Sequence, residues 1–128
     1  MQNRVYISYA LKDLKVVSQI KNLLESNGVS VWIANERIND GDYFKESIRN
    51  GLNSSAVVLM IATKEFLQSR AATFEMGAAF ALNKKVIPII LDEPEAIPTE
   101  LASLHFYRLT DENRNELVQL VKERIQEV

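Results

Sequence analysis

The stretch AVVLMIA, residues 56–62, is apolar at every position, and VIPIIL, residues 86–91, repeats the pattern. Strands of an open sheet with one wet face alternate apolar and polar side chains. Strands that are covered by helices on both sides read instead as continuous apolar runs. These two stretches therefore predict the central strands of a parallel sheet.

Shorter β-rich runs and helical patterns alternate along the rest of the chain. Strand patterns cover Val5–Tyr9, Val29–Ile33 and, more weakly, Leu104–Leu109. Helical patterns cover about Asp13 to Gly28, Tyr43–Leu52, Arg70–Asn83 and Glu112–Glu127, with Asp13 as an N-cap and Gly28 as the residue that ends the first helix. The alternation predicts an α/β fold, a flavodoxin-like, doubly wound five-stranded parallel sheet of order 2-1-3-4-5 with helices on both faces. No repeat or linker divides it, so residues 1–128 are expected to form one domain.

Composition narrows the function classes. The 128 residues are 47% hydrophobic and 25% charged with a net charge of −2, which is typical of a soluble globular protein. The charges form no long block, so neither nucleic acid nor a membrane is an expected partner. The absence of cysteine excludes disulfides and cysteine-type zinc sites. The N-terminus has no signal-peptide pattern, and a cytoplasmic location is expected.

Ligands of such sheets bind at the carboxyl ends of the strands, where the strand order reverses, here between strands one and three. A crevice is expected at this point. Its expected lining residues are Ser8, Tyr9 and Ala10 after strand one, Ala62 and Thr63 after strand three, and the first turn of the third helix. Glu75, which we expect in that turn, is the only ionisable residue between Phe74 and Lys84. Because an unpaired buried carboxylate costs several kcal/mol, we expect Glu75 on the crevice rim.

Simpler interpretations stay open. An acid in a first turn is favoured by the helix dipole alone, with Ser69 available as a cap. Tyr9 and Trp32 fit ordinary sheet-edge aromatics, and His105 fits a strand residue better than a base.

The four glycines are too scattered for a phosphate loop. A phosphoacceptor receiver domain is excluded as well, because it needs an aspartate at the position of Ala62.

Four motifs in order resemble those of a TIR (Toll/interleukin-1 receptor) domain, bacterial type. They are VYISYALKD, VSVWIANERINDGDYF, SSAVVLMIATKEFLQS and FEMGAAFALNKKVIPII. The segment from Ile38 to Gly41 matches the BB loop of the family. The resemblance implies self-association through the BB-type loop 35–43, with domains stacked head to tail and the adenine side of the site completed by a neighbour.

Enzymatic members of the family cleave the bond between nicotinamide and ribose in NAD, giving ADP-ribose or a cyclic ADP-ribose. Glu75 occupies the position of their catalytic glutamate, and one carboxylate suffices because nicotinamide leaves as a neutral group. The resemblance implies NAD as substrate, no cofactor and no metal, and a role in bacterial antiphage signalling. The expected substrate-binding residues are Ser8, Tyr9, Ala10, Trp32, Ile33, Glu36 and Ser69.

Two alternatives remain. Other TIR domains are non-catalytic interaction or adaptor modules, and the glutamate helix is also similar to that of nucleoside deoxyribosyltransferases. The chain departs from many catalytic members at Ala71, where they have tryptophan, and at Ala34, where an aspartate is frequent. An enzyme with alanine at these two positions must bind the nucleotide through other residues.

Overall fold

Five parallel strands form one sheet in the computed structural model, which describes residues 4–33, 49–91, 106–110 and 112–127. The strands are β1 (Arg4–Ser8), β2 (Ser30–Ile33), β3 (Val57–Ile61), β4 (Lys85–Ile90) and β5 (Tyr107–Arg108). Their order is β2-β1-β3-β4-β5, and every neighbouring pair is parallel. The predicted strand order and strand direction are confirmed.

Helices cover both faces of this sheet, as the apolar runs predict. The helices are α1 (Leu14–Ser26), α2 (Lys64–Leu67), α3 (Arg70–Ala81) and α4 (Arg114–Gln126), and residues 49–53 are also helical. All five residues of β3 are buried, as are the last four of β4. None of the helices within the described ranges has the length and apolar character that crossing a membrane requires.

Side-chain alternation along β1 divides the core into two clusters. Val5 and Ile7 pack on one face with residues of α1 and α4. Tyr6 lies on the other face, in a cluster with Val58, Met60 and residues of α2 and α3. This second cluster contains the candidate site.

The two predicted ends of the first helix have different outcomes. Gly28 has a positive φ of 86°, a conformation that glycine adopts without strain, and the amide of Val29 bonds the carbonyl of Leu24. The predicted helix end is confirmed. Asp13 stands at the N-cap position but makes no capping bond, because its carboxylate accepts a hydrogen bond from Thr63 instead.

Other boundaries differ by a few residues. The third predicted helix ends at Ala81, before Asn83 takes a left-handed φ of 55°. The last helix is one or two residues shorter than predicted at each end. The short helix α2 was not predicted, and the first part of the predicted helix Tyr43–Leu52 and the start of the fifth strand, including His105, lie outside the described residues.

Candidate functional site

The site is built around a buried pair of polar side chains. The Tyr6 hydroxyl of β1 donates a hydrogen bond of 2.9 Å to Oε2 of Glu75, which lies on α3. The two residues are 69 positions apart in the chain. Glu75 is 4% exposed and Tyr6 is 0% exposed.

The structure corrects two predictions about Glu75. The helix begins at Arg70, so Glu75 is its sixth residue and lies in the second turn, and the first turn contains no acid. The carboxylate is also buried and does not lie on the crevice rim. The prediction failed because it assumed that a buried acid would lack a partner, whereas Tyr6 supplies a donor inside the core.

Tyr6 is held by tight packing on the same side of the sheet. It pairs in register with Trp32 of β2 and with Val58 of β3. A Cβ added at Gly51 would lie 2.7 Å from Cε2 of Tyr6 and 2.5 Å from Nε1 of Trp32. The backbone at Gly51 therefore lies close to both rings, and only glycine fits at this position without displacing them.

The electrostatics of the pair keep the tyrosine protonated. Burial raises the pKa of Tyr6 far above its ordinary value, and the negative charge of Glu75 and the hydrogen bond to it raise the pKa further. The phenol therefore acts as a permanent hydrogen-bond donor at neutral pH. A charged acceptor makes such a bond stronger than one between neutral groups.

Several of the predicted substrate-binding residues share the face of Tyr6. Ser8 lies two residues further along β1, so its side chain points to the same side of the sheet. Ser8 is fully buried, and its hydroxyl has no hydrogen-bond partner within the part of the chain that the structure describes. Ala10 packs against the same cluster.

Trp32 also packs against this cluster, and its surroundings bear on the predicted stacking role. The Arg4 guanidinium lies 5.6 Å from the centre of the indole ring, in a cation–π contact. Gly51 packs against the edge that carries Nε1. These contacts explain the position of Trp32 as sheet packing, and its contact with a substrate stays a prediction.

Two other predicted residues lie on the opposite face. Tyr9 is buried in the cluster of Val5 and Ile7, and Ile33 packs against that cluster. The side chains of Tyr9 and Ile33 therefore pack in the other cluster, although Tyr9 is still close enough to be the last of the causes that raise the pKa of Tyr6. Glu36, Ala34 and the whole loop 35–43 lie outside the described residues.

The strand ends around the crevice are tied together by side chains. Thr63, just after β3, donates a 2.7 Å hydrogen bond to Asp13 in the connection after β1. Nearby, Lys12 pairs with Glu65 at 2.8 Å. Ser69 precedes α3, and its carbonyl accepts the amide of Thr73. The connections after β1 and β3 are thus fixed to each other. They border the switch point of the sheet, which is the place between β1 and β3 where the strand order reverses.

Sequence reasoning missed Tyr6 and the link between Asp13 and Thr63. One signal for Tyr6 was available, since a tyrosine inside an apolar strand buries a hydroxyl that needs a partner. Nothing local identifies that partner. Thr63 was named as a crevice residue, but its bond crosses 50 positions of the chain.

The fold and this pair define a class: a doubly wound α/β domain with an acid buried against β1, one of the strands that flank its topological switch point. Comparison with protein families identifies the class. The model of the TIR domain family matches residues 5–121. The chain belongs to the TIR domain family, and its predicted family membership is confirmed.

Individual relatives agree with this assignment. A protein of Methanobrevibacter olleyae named "Probable 2' cyclic ADP-D-ribose synthase TcpO" is 27% identical over 92 residues, which are 69% of this chain and 27% of that protein. The chain thus matches about a quarter of the length of this relative.

Solved structures share the fold. The TIR domain of the Toll-related receptor TRR-2 from Hydra magnipapillata superimposes with a TM-score of 0.76 at 20% identity, covering 95% of this chain and 97% of that one. The heterodimer of the RPS4 and RRS1 TIR domains gives a TM-score of 0.70 at 18% identity, covering 95% of this chain and 97% of that one. At these identities the likeness concerns the fold alone.

Proposed function

We propose that this TIR domain cleaves the bond between nicotinamide and ribose in NAD, with Glu75 as the catalytic carboxylate. The observation that carries the proposal is the buried Glu75, held at 2.9 Å by Tyr6 of β1, one of the two strands that flank the switch point of the sheet. The name of the relative from Methanobrevibacter olleyae, a probable cyclic ADP-ribose synthase, supports NAD as the substrate.

The chemistry requires little more than a placed negative charge. When the glycosidic bond breaks, its electron pair goes to the nicotinamide nitrogen, which leaves neutral, and positive charge develops on the ribosyl carbon. Glu75 stabilises that charge, and in a low-dielectric site the attraction is stronger than in water. Water, or a nucleophile within the ADP-ribosyl group, then bonds the ribosyl carbon and releases a proton if it carried one.

The buried hydroxyl of Ser8 supports a polar ligand on the same face. Buried hydroxyls in folded proteins nearly always have partners, and one without a partner among the described residues needs an explanation. We propose that Ser8 bonds a ribose hydroxyl of the substrate. Its role is to bind the sugar near Glu75.

One experiment tests the proposal. The domain is incubated with NAD at high protein concentration, and the products are separated by chromatography. Nicotinamide release supports an enzyme, and the second product distinguishes ADP-ribose from a cyclic form. Glu75→Gln keeps the volume and an acceptor for Tyr6 but removes the charge, so we expect the rate to fall by about a hundredfold or more.

The matched control is Glu25→Gln, which removes an exposed carboxylate that accepts 2.7 Å from Lys21 on α1. Glu25 lies on α1, which packs against the opposite face of the sheet from Tyr6, and its loss should leave turnover unchanged. If Glu75→Gln turns over NAD as fast as the wild type, Glu75 is not the catalytic group.

A second candidate function is a non-catalytic TIR interaction module. The burial of Glu75 favours it, since an acid that is 4% exposed and hydrogen-bonded also fits a structural contact between α3 and the sheet. The product assay separates the two candidates: a module releases no nicotinamide at any protein concentration.

A further inference from the structure

Tyr6 is a buried titratable residue in direct contact with the candidate catalytic acid. We propose that Tyr6 is a positioning residue, whose phenol fixes the Glu75 carboxylate in the orientation that the cleavage reaction needs. The inference rests on the proposed function and deepens it, because it names what sets the geometry of that site.

The hydrogen-bond donor, Tyr6, is held in place by its surroundings. The Tyr6 ring belongs to β1, which pairs with a strand on each side, and no part of the residue is exposed. The backbone at Gly51 closes on Cε2 of the ring. The hydroxyl oxygen is therefore a fixed point in the interior of the domain.

The acceptor, Glu75, has a flexible side chain that such a fixed donor can orient. A glutamate side chain has three rotatable bonds, and its terminal torsion is broad and weakly restrained. A hydrogen bond of 2.9 Å from a fixed phenol to Oε2 selects one of these arrangements. The carboxylate is then oriented before any substrate binds.

The orientation of the Glu75 carboxylate affects the rate of cleavage. A charge that is already aimed at the reacting centre needs no reorganisation when the transition state forms, and this is the main source of electrostatic catalysis. Removing the phenol leaves the carboxylate in place but removes one of the contacts that fix its orientation. The loss should fall on kcat, because Tyr6 makes its bond to Glu75 and not to the substrate.

Tyr6→Phe tests this with the smallest possible change. We expect kcat for NAD to fall by about 10- to 100-fold, as for loss of a hydrogen bond to a charged group. We expect KM to stay within about twofold of the wild type. Tyr107→Phe is the matched control, since it removes a phenol that donates at the same 2.9 Å to the carbonyl of Asn113, beside α4.

A second background separates positioning from a general structural effect. Glu75→Asp keeps the acid but withdraws it from Tyr6 by one methylene. If Tyr6 acts through Glu75, adding Tyr6→Phe to this variant lowers kcat by less than about threefold, because the bond is already lost. Circular dichroism confirms that each variant is folded.

The outcomes separate the two proposals. An active wild type with an unchanged Tyr6→Phe variant overturns the role of Tyr6 alone. Equal losses from Tyr6→Phe in both backgrounds also overturn it, since they indicate an effect that does not pass through Glu75. A wild type that releases no nicotinamide, or a fully active Glu75→Gln variant, overturns the proposed function and the role of Tyr6 with it.

Discussion

The bond between Tyr6 and Glu75 makes a prediction about stability that holds whether or not the domain is an enzyme. Tyr6→Phe removes one buried oxygen and leaves the ring packing intact. Because the lost partner is a carboxylate, we expect the free energy of unfolding at neutral pH to fall by about 1.5–3 kcal/mol. Tyr107→Phe, whose lost acceptor is a neutral carbonyl, should cost about 0.5–1.5 kcal/mol.

The dependence on pH follows from the raised pKa of Tyr6, which is caused first by burial and then by the charge of Glu75. In the unfolded chain tyrosine ionises near pH 10, whereas in the folded protein Tyr6 stays protonated well beyond it. Below pH 10 the contribution of this group to stability is complete. Above pH 10 the folded state keeps the phenol proton of Tyr6, which the unfolded state has lost. The free energy of unfolding therefore falls by about 1.4 kcal/mol per pH unit.

Phenylalanine has no such proton, so the free energies of unfolding of the wild type and of the Tyr6→Phe variant should converge as the pH rises. An advantage of about 2 kcal/mol for the wild type at pH 8 should shrink to below about 1 kcal/mol at pH 11. Urea unfolding followed by the fluorescence of Trp32, the only tryptophan, measures both curves. Parallel curves from pH 9 to pH 11 would refute the reasoning, because they would mean that Tyr6 ionises as readily in the folded state as in the unfolded one.

Three further predictions concern packing and assembly. Gly51→Ala places a Cβ 2.5 Å from Nε1 of Trp32 and should lower the free energy of unfolding by about 1–3 kcal/mol; a change below about 0.5 kcal/mol in urea unfolding would contradict the tight contact. Thr63→Val removes the hydroxyl that donates to Asp13 at 2.7 Å and caps α2 by accepting from the amide of Phe66, and it should lower the free energy of unfolding by about 1–3 kcal/mol, measured in the same way. An unchanged midpoint would mean that neither bond adds stability. From the family resemblance, NAD turnover per protomer should rise with protein concentration, and Arg37→Glu should weaken turnover and light scattering together; flat specific activity in monomeric samples would exclude a composite site.

The sequence predicted the sheet well because its signals are local. Continuous apolar runs identify β3 and β4 as central strands, and the left-handed Gly28 ends α1 where the pattern predicts. The alternation of strands and helices then leaves few topologies, since parallel crossovers are right-handed and short. These patterns and rules favour a doubly wound sheet, for which the predicted order 2-1-3-4-5 is one of the common arrangements.

The candidate site was predictable only in part, because its contacts join distant segments. Glu75 stands out in the sequence as an isolated acid, yet its burial depends on a hydroxyl 69 residues away. Tyr6 stands in an apolar strand, where its hydroxyl signals the need for a partner but not which residue that partner is. Tyr6 and Glu75 come together only through the register of β1 against β3 and the packing of α3 on the sheet. The sequence alone specifies neither that register nor that packing.

The energetics of the pair distinguish a functional acid from a structural one. Burying a carboxylate costs several kcal/mol, and a hydrogen bond from a tyrosine offsets part of that cost. Replacing both partners by apolar side chains of similar shape removes the cost together with the bond, and such replacements are often neutral or stabilising. We therefore expect the double variant Tyr6→Phe, Glu75→Met to be at least as stable as the wild type in urea, and to release no nicotinamide from NAD. A double variant that loses more than about 2 kcal/mol would mean that the pair stabilises the fold, and the interaction-module interpretation would gain.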